Sequence, residues 1–295
     1  KRLYNLLDEM IDSKLAINYA AQISIDVADD EILLKKLRLS GASHFFLGLE
    51  SLDIRNLEYV GKNIVSKIKK NGASVEEYYA SRIIRIQDHG ISVHGAFMFG
   101  MPYDYFNSLD DHSGKKIVEF CKKIKIGIQP TCLSNLPGSL DFMEGLKKNE
   151  LLYGNPGSMD YFCSLTIADL TESNRSIPDS LYNSPLVAFY MLYDTMKSIG
   201  HYANALNLGF SMAKKSWKVP SAKGDQKIKY RLMDALAGVG FQLGCSAYYE
   251  LYKGLAYSNP WVEGTFERLY RLEKNSRLKE MFREFVKKYV CERGV

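Results

Sequence analysis

The chain of 295 residues lacks any pair of cysteines close enough in sequence to suit a metal cluster or a redox dithiol. Its five, Cys121, Cys132, Cys163, Cys245 and Cys291, are odd in number and widely separated, and reduced thiols in a cytoplasmic protein are the simplest reading. No apolar run approaches the roughly 20 residues needed to cross a bilayer. The opening Lys1-Arg2-Leu3-Tyr4 carries no signal-peptide core, so neither membrane spanning nor secretion is expected. Charge of one sign is missing too. The 39 basic and 34 acidic residues are interleaved, with a net charge of +5, and give no clear nucleic-acid signal. Lys122-Lys123-Ile-Lys125 and Lys287-Lys288 read as solvated helix ends, where cations favour the negative pole of the dipole. An initiator Met is absent as well. The chain opens inside an amphipathic pattern (Leu3, Leu6, Leu7, Met10, Ile11) and is expected to be a piece of a longer polypeptide.

What the sequence does have is a core: 46% of its residues are hydrophobic, enough for one large domain or a domain with an extension. Apolar spacing predicts a helix over residues 2–14, a strand over 17–27, a helix capped by Asp29 and Asp30 and closed at Ser40-Gly41, and a strand over 45–49. A helix over 75–88 leads to a strand over 91–99, and a helix over 110–123 leads to a strand over 126–132. Strands alternating with helices need crossover connections and therefore run parallel. The expected fold is α/β: a parallel partial TIM-type (β/α) barrel truncated to its last four strands, spanning residues 1–155. A mainly helical extension over 156–295 follows, with long helices over 186–199, 203–217, 228–257 and 266–289 and one more helix over 140–152.

In such barrels the strand ends converge on one mouth, so the residues at those ends are the candidate site. Glu50 and Ser51 close one apolar strand and Gly100 follows another; Gln22, Ser24 and Asp26 alternate along a third and would share one face. Polar groups on an interior face meet a ligand or one another, and both readings stay open. Glu50 also reads as a cap for a helix beginning near Asp53, Gly100 as a plain turn glycine, Lys62 as a solvated lysine and His94 as a satisfied core residue. The other histidines show no metal-ligand spacing.

Taken in order, Ala21-Gln22-Ile-Ser24-Ile-Asp26, Phe46-Leu-Gly48-Leu-Glu50-Ser51, Gly61-Lys62, Gly95-Ala-Phe-Met-Phe-Gly100-Met-Pro102 and Leu136-Pro137-Gly138-Ser139 resemble the second half of radical S-adenosylmethionine enzymes. The likeness covers about residues 1–152 and is closest to the branch that often carries a cobalamin-binding domain. It implies a partial barrel in which Glu50 and Ser51 help hold the ribose and methionyl part of S-adenosylmethionine, while Gly100, Leu133 and Leu136 line the adenine site. Gln22, Ser24 and Asp26 become substrate-facing candidates, and the substrate itself is unread. The family binds a 4Fe-4S cluster through Cys-x3-Cys-x2-Cys, a triplet this chain does not contain. The cluster is therefore expected from the missing N-terminal half of the same protein. Tyr103 and Asn135 stand where the family commonly has glycine and proline. The competing reading is a non-enzymatic binding or scaffold protein that kept half the fold.

Overall fold

Ser24 ends the first strand. The alternation of apolar residues continues to Val27, but strand β1 spans only Tyr19–Ile23, and Ile25–Asp29 form a 3-10 helix whose cap is the Ser24 hydroxyl, accepting from Asp26 N at 3.5 Å. A 3-10 turn buries Ile25, Val27 and Ala28 as well as a strand would, which is why the apolar pattern misleads here. The expectation of one strand carrying Gln22, Ser24 and Asp26 on a single face is thus corrected. The computed structural model describes residues 2–14, 17–133, 184–199 and 273–287, together with scattered positions between 140 and 271.

Helix α1 (Arg2–Asp12) precedes β1 and packs on α2 (Glu31–Ser40). Asp30 caps α2 through Leu33 N at 2.9 Å, and Gly41 closes it in the left-handed conformation. Strand β2 (Ala42–Glu50) leads to α3 (Ile54–Tyr59), α4 (Ile64–Asn71) and α5 (Val75–Asp88), the last opened by a capping box between Ser74 and Glu77. Strand β3 (Ser92–Phe99) is followed by a hairpin of β4 (Phe106–Ser108) and β5 (Asp111–His112), then α6 (Ser113–Ile124) and β6 (Gly127–Cys132). The hairpin is a correction: Asp111 and His112 were expected inside the helix over 110–123, and no element was expected at Phe106–Ser108. Helix α7 (Pro185–Ile199) matches expectation. The helix expected over 266–289 is interrupted, since Asn275 caps a separate α8 (Ser276–Val286) through Arg277 N and Leu278 N. The expected helices over 140–152, 203–217 and 228–257 fall largely or wholly outside the described residues.

Strands β1, β2, β3 and β6 form one parallel sheet in that spatial order. Successive residues point to opposite faces, and the two faces differ. One, carrying Phe45, Leu47, Leu49, Val93, Phe97, Phe99 and Ile128, is buried; α2, α5, α6 and α7 pack against β2, β3 and β6. The other holds buried His44, Ser92 and His94 near the strand starts, while Phe46, Gly48, Ala96 and Met98 are half-buried and Gln22 and Gln129 exposed. Helix α7 also sits against the hairpin. Tyr190 meets Phe106, His112, Phe282 and Phe285 ring against ring, and its hydroxyl donates to Leu109 O at 3.0 Å. Lys115 Nζ, at 2.8 Å, and His112 Nε2, at 3.4 Å, approach Asp194 Oδ2. Burial raises that carboxyl, and its hydrogen bonds with His112 and Lys115, with the nearby Lys115 charge, more than offset the burial and leave it below its usual range.

Candidate functional site

Sequence reasoning singles out the end of β2, and there the backbone departs from regular geometry. The pairing with β3 slips between Gly48 and Glu50, so two residues of β2 oppose one of β3, a bulge of the kind that re-aims a side chain. Glu50 has φ of 66° and Ser51 N donates back to Leu49 O at 2.8 Å, which closes a γ-turn centred on Glu50. A non-glycine residue held there costs roughly 1–3 kcal/mol and persists only where its surroundings over-determine it.

Those surroundings are explicit. The Glu50 carboxylate folds back along the strand and takes the Lys62 ammonium at 2.8 Å on Oε1. Lys62 Nζ also donates to Gly48 O at 2.9 Å. Glu50 is not a helix cap, because Asp53 caps α3 itself through Arg55 N at 2.9 Å. Lys62 in turn is bound at both its N–H and its ammonium, so the reading of a free solvated lysine is corrected as well.

Ser51 points elsewhere. Buried at 4% exposure, its hydroxyl accepts from Asp53 N at 3.0 Å and from Asn56 Nδ2 at 3.2 Å. The same Asn56 amide donates to Asp104 Oδ1 at 3.0 Å, and its oxygen accepts from Tyr103 N at 2.9 Å. Asp104 Oδ2 collects the N–H groups of Gly100, at 2.8 Å, and Met101, at 3.0 Å. The turn after β2 and the turn after β3 are therefore parts of one buried network. Burial pushes the Asp104 carboxyl up to about 7, against the opposing pull of the N–H bonds from Met101, Gly100 and Asn56.

Gly100 takes φ of 92° at the end of β3, and Leu133 N donates to Phe99 O at 2.8 Å, carrying the β3–β6 pairing one step further. Glu50, Gly100 and Leu133 thus lie together at the C-terminal ends of adjacent strands. Leu136 falls outside the described residues. Gln22 is exposed on the sheet's edge strand, opposite Phe46. Asp26 has left the sheet for an ion pair with Lys67 at 2.7 Å, shared with Asp29 at 3.3 Å.

His94 lies in the core over Gly127, where an added Cβ would fall within contact of the imidazole. Burial, with a small opposing effect of the Ile128 backbone, lowers it to about 4; burial and the neighbouring His94 lower His44 to about 3. His44 Nδ1 sits 2.5 Å from Ser92 Oγ. Cys121 and Cys132 are buried and form no disulfide, the Cys132 thiol donating to Ala188 O at 3.8 Å; burial raises the first well above its usual value, and burial with the Asp104 charge raises the second to about 12. Among the described residues, no group of three or more His, Cys, Asp or Glu stands together in a way that could hold a metal ion, and no helix is long and apolar enough to cross a membrane.

Asn56 and Asp104 are the site residues that sequence reasoning missed. Their one legible trace is an Asn five residues after Ser51, inside the first turn of a short helix. Compared with models of protein families and with curated proteins, the chain matches none.

Proposed function

We propose that this chain is the C-terminal part of a radical S-adenosylmethionine enzyme, comprising the second half of its partial (β/α) barrel and a helical extension. One observation carries the reading: Glu50, Gly100 and Leu133, picked out by the motif order, stand at the same ends of sequential parallel strands, the edge at which α/β sheets bind ligands. The site fits the ligand in two respects. A half-buried carboxylate can accept from ribose hydroxyls or a methionyl ammonium, and the glycine backbone at Gly100 carries no side chain to obstruct a neighbour. Ser51 serves indirectly, its hydroxyl fixing the turn that presents Glu50.

The cysteines of this chain do not fit a 4Fe-4S cluster, for none has the family's spacing and no three potential ligands gather among the described residues. The cluster ligands must come from another segment. S-Adenosylmethionine bound to a complete enzyme supplies a 5'-deoxyadenosyl radical or a methyl group. The half-buried sheet face supports the reading, because parallel sheets are normally covered on both sides and Phe46, Gly48, Ala96 and Met98 on this face are only partly covered.

The test uses the complete protein, reconstituted anaerobically with iron and sulfide and titrated with S-adenosylmethionine by calorimetry. A charge-transfer absorption band and saturable binding are expected. A complete protein that acquires neither defeats the reading.

A further inference from the structure

We propose that Lys62 is a positioning residue that clamps the Glu50 carboxylate over Gly48 before ligand arrives; this rests on the reading of Glu50 as the S-adenosylmethionine contact. The first support is how Lys62 is delivered. Helix α3 leaves the strand end directly after the Glu50 turn and finishes in a Schellman motif, with Lys62 N donating to Leu57 O at 2.9 Å and Gly61 N to Glu58 O at 3.0 Å. Gly61, at φ of 67°, takes the left-handed position that motif requires. Capped at both ends, this six-residue helix is a spacer of fixed length that returns a cation to the place the chain has just left.

The second support is what the ammonium does there. A solvated lysine holds no fixed geometry, and an ordinary surface ion pair needs no backbone partner. Lys62 commits two of its three donors, one to Gly48 O and one to Glu50 Oε1.

The third support is Gly48 itself. A Cβ at that position would stand 2.6 Å from Glu50 Oε1 and 3.2 Å from Lys62 Nζ, so the folded-back carboxylate lies in space that only glycine leaves vacant. The γ-turn, the glycine and the lysine together hold one conformation of a side chain that otherwise has three rotatable bonds. Ordering it in advance removes that entropy cost from ligand binding, and the carboxylate keeps further lone pairs for an incoming N–H or O–H donor.

The experiment is S-adenosylmethionine calorimetry on the complete, cluster-loaded protein and its Glu50→Gln, Lys62→Met, Lys62→Arg and double Glu50→Gln/Lys62→Met variants, with melting temperatures measured in parallel. Glu50→Gln and Lys62→Met should each weaken binding about tenfold. Lys62→Arg, which keeps a bridging cation, should stay within about threefold of wild type. The double variant should bind no worse than Glu50→Gln alone, the mark of a residue acting through another. Additive losses in the double variant overturn the positioning role, since Lys62 then acts on the ligand by itself. Wild-type affinity in Lys62→Met beside a weakened Glu50→Gln overturns the clamp and leaves the functional reading standing. Wild-type protein that loads its cluster and takes no S-adenosylmethionine overturns the functional reading. Should Lys62→Met not fold, Gly48→Ala displaces the carboxylate without changing charge; unchanged affinity there overturns the proposal.

Discussion

Asn56 and Asp104, 48 residues apart in sequence, meet at 3.0 Å in a bond that joins the turn after β2 to the turn after β3. Both are nearly or fully buried, so neither can exchange the bond for water. Deleting the amide strands the Asp104 oxygen and Tyr103 N together. Asn56→Ala is therefore expected to cost about 2–3 kcal/mol, read from urea unfolding. A loss under about 0.5 kcal/mol shows that the two turns are held by something else.

Stability should fall on mild acidification. Above pH 6.5 His44 and His94 are neutral in folded and unfolded chains alike. Below it the unfolded chain takes protons that the folded one refuses until about 3 and about 4 respectively. Each histidine then removes up to about 1.4 kcal/mol per pH unit as pH falls from 6.5 toward 4. Asp104 runs the other way: its folded carboxyl keeps its proton up to about 7, against 3.8 normally, so its contribution is full below 3.8 and lost as pH rises to 7. Two histidines outweigh one carboxyl, and the urea midpoint should be lower at pH 5 than at pH 6.5. Asp104→Asn should steepen that dependence by removing the opposing group, and an unchanged midpoint between the two pH values contradicts the assignment.

Gly127 is required by the His94 ring lying across it. Gly127→Ala forces the imidazole or the strand to move, at about 1–3 kcal/mol. The loss should be largely recovered in His94→Ala/Gly127→Ala relative to His94→Ala alone. Denaturation of the four proteins in a double-mutant cycle checks this, with additivity as the contrary result.

Glu50 sits in a backbone conformation that favours glycine. Glu50→Gly should thus match or exceed wild-type stability, by up to about 1 kcal/mol after the entropy glycine loses on folding. Glu50→Ala, which keeps its Cβ, should gain nothing. A Glu50→Gly variant clearly less stable than Glu50→Ala means that the turn is not strained.

The order of strands and helices was legible because each apolar run is bounded by a residue with a local job: Asp30 caps, Gly41 closes, Ser74 opens. Local signals failed where two structures bury the same pattern. Ile25, Val27 and Ala28 satisfy a strand or a 3-10 turn equally, and only the Ser24 cap separates them. The break before α8 was readable in Asn275-Ser276 yet was overridden by the apolar spacing around it. Glu50 could be found from its place after a strand. Its partner could not, since Lys62 reaches it only through the length of α3, and the Asn56–Asp104 bond depends on two turns brought together by strand pairing.

The ring of Phe106 stacks against Phe282 at 5.6 Å, and this contact sets an order of events during synthesis. The hairpin that follows the Asp104 turn emerges from a ribosome long before α8, and at about 5–20 residues per second the interval is on the order of ten seconds or more. Through that time the aromatic side of the hairpin has no partner from the helix that will cover it. The strand-end turns, joined through Ser51, Asn56, Gly100 and Asp104, have all their partners before then, so the Phe106 side of the hairpin waits on α8 after the turns beside it can close.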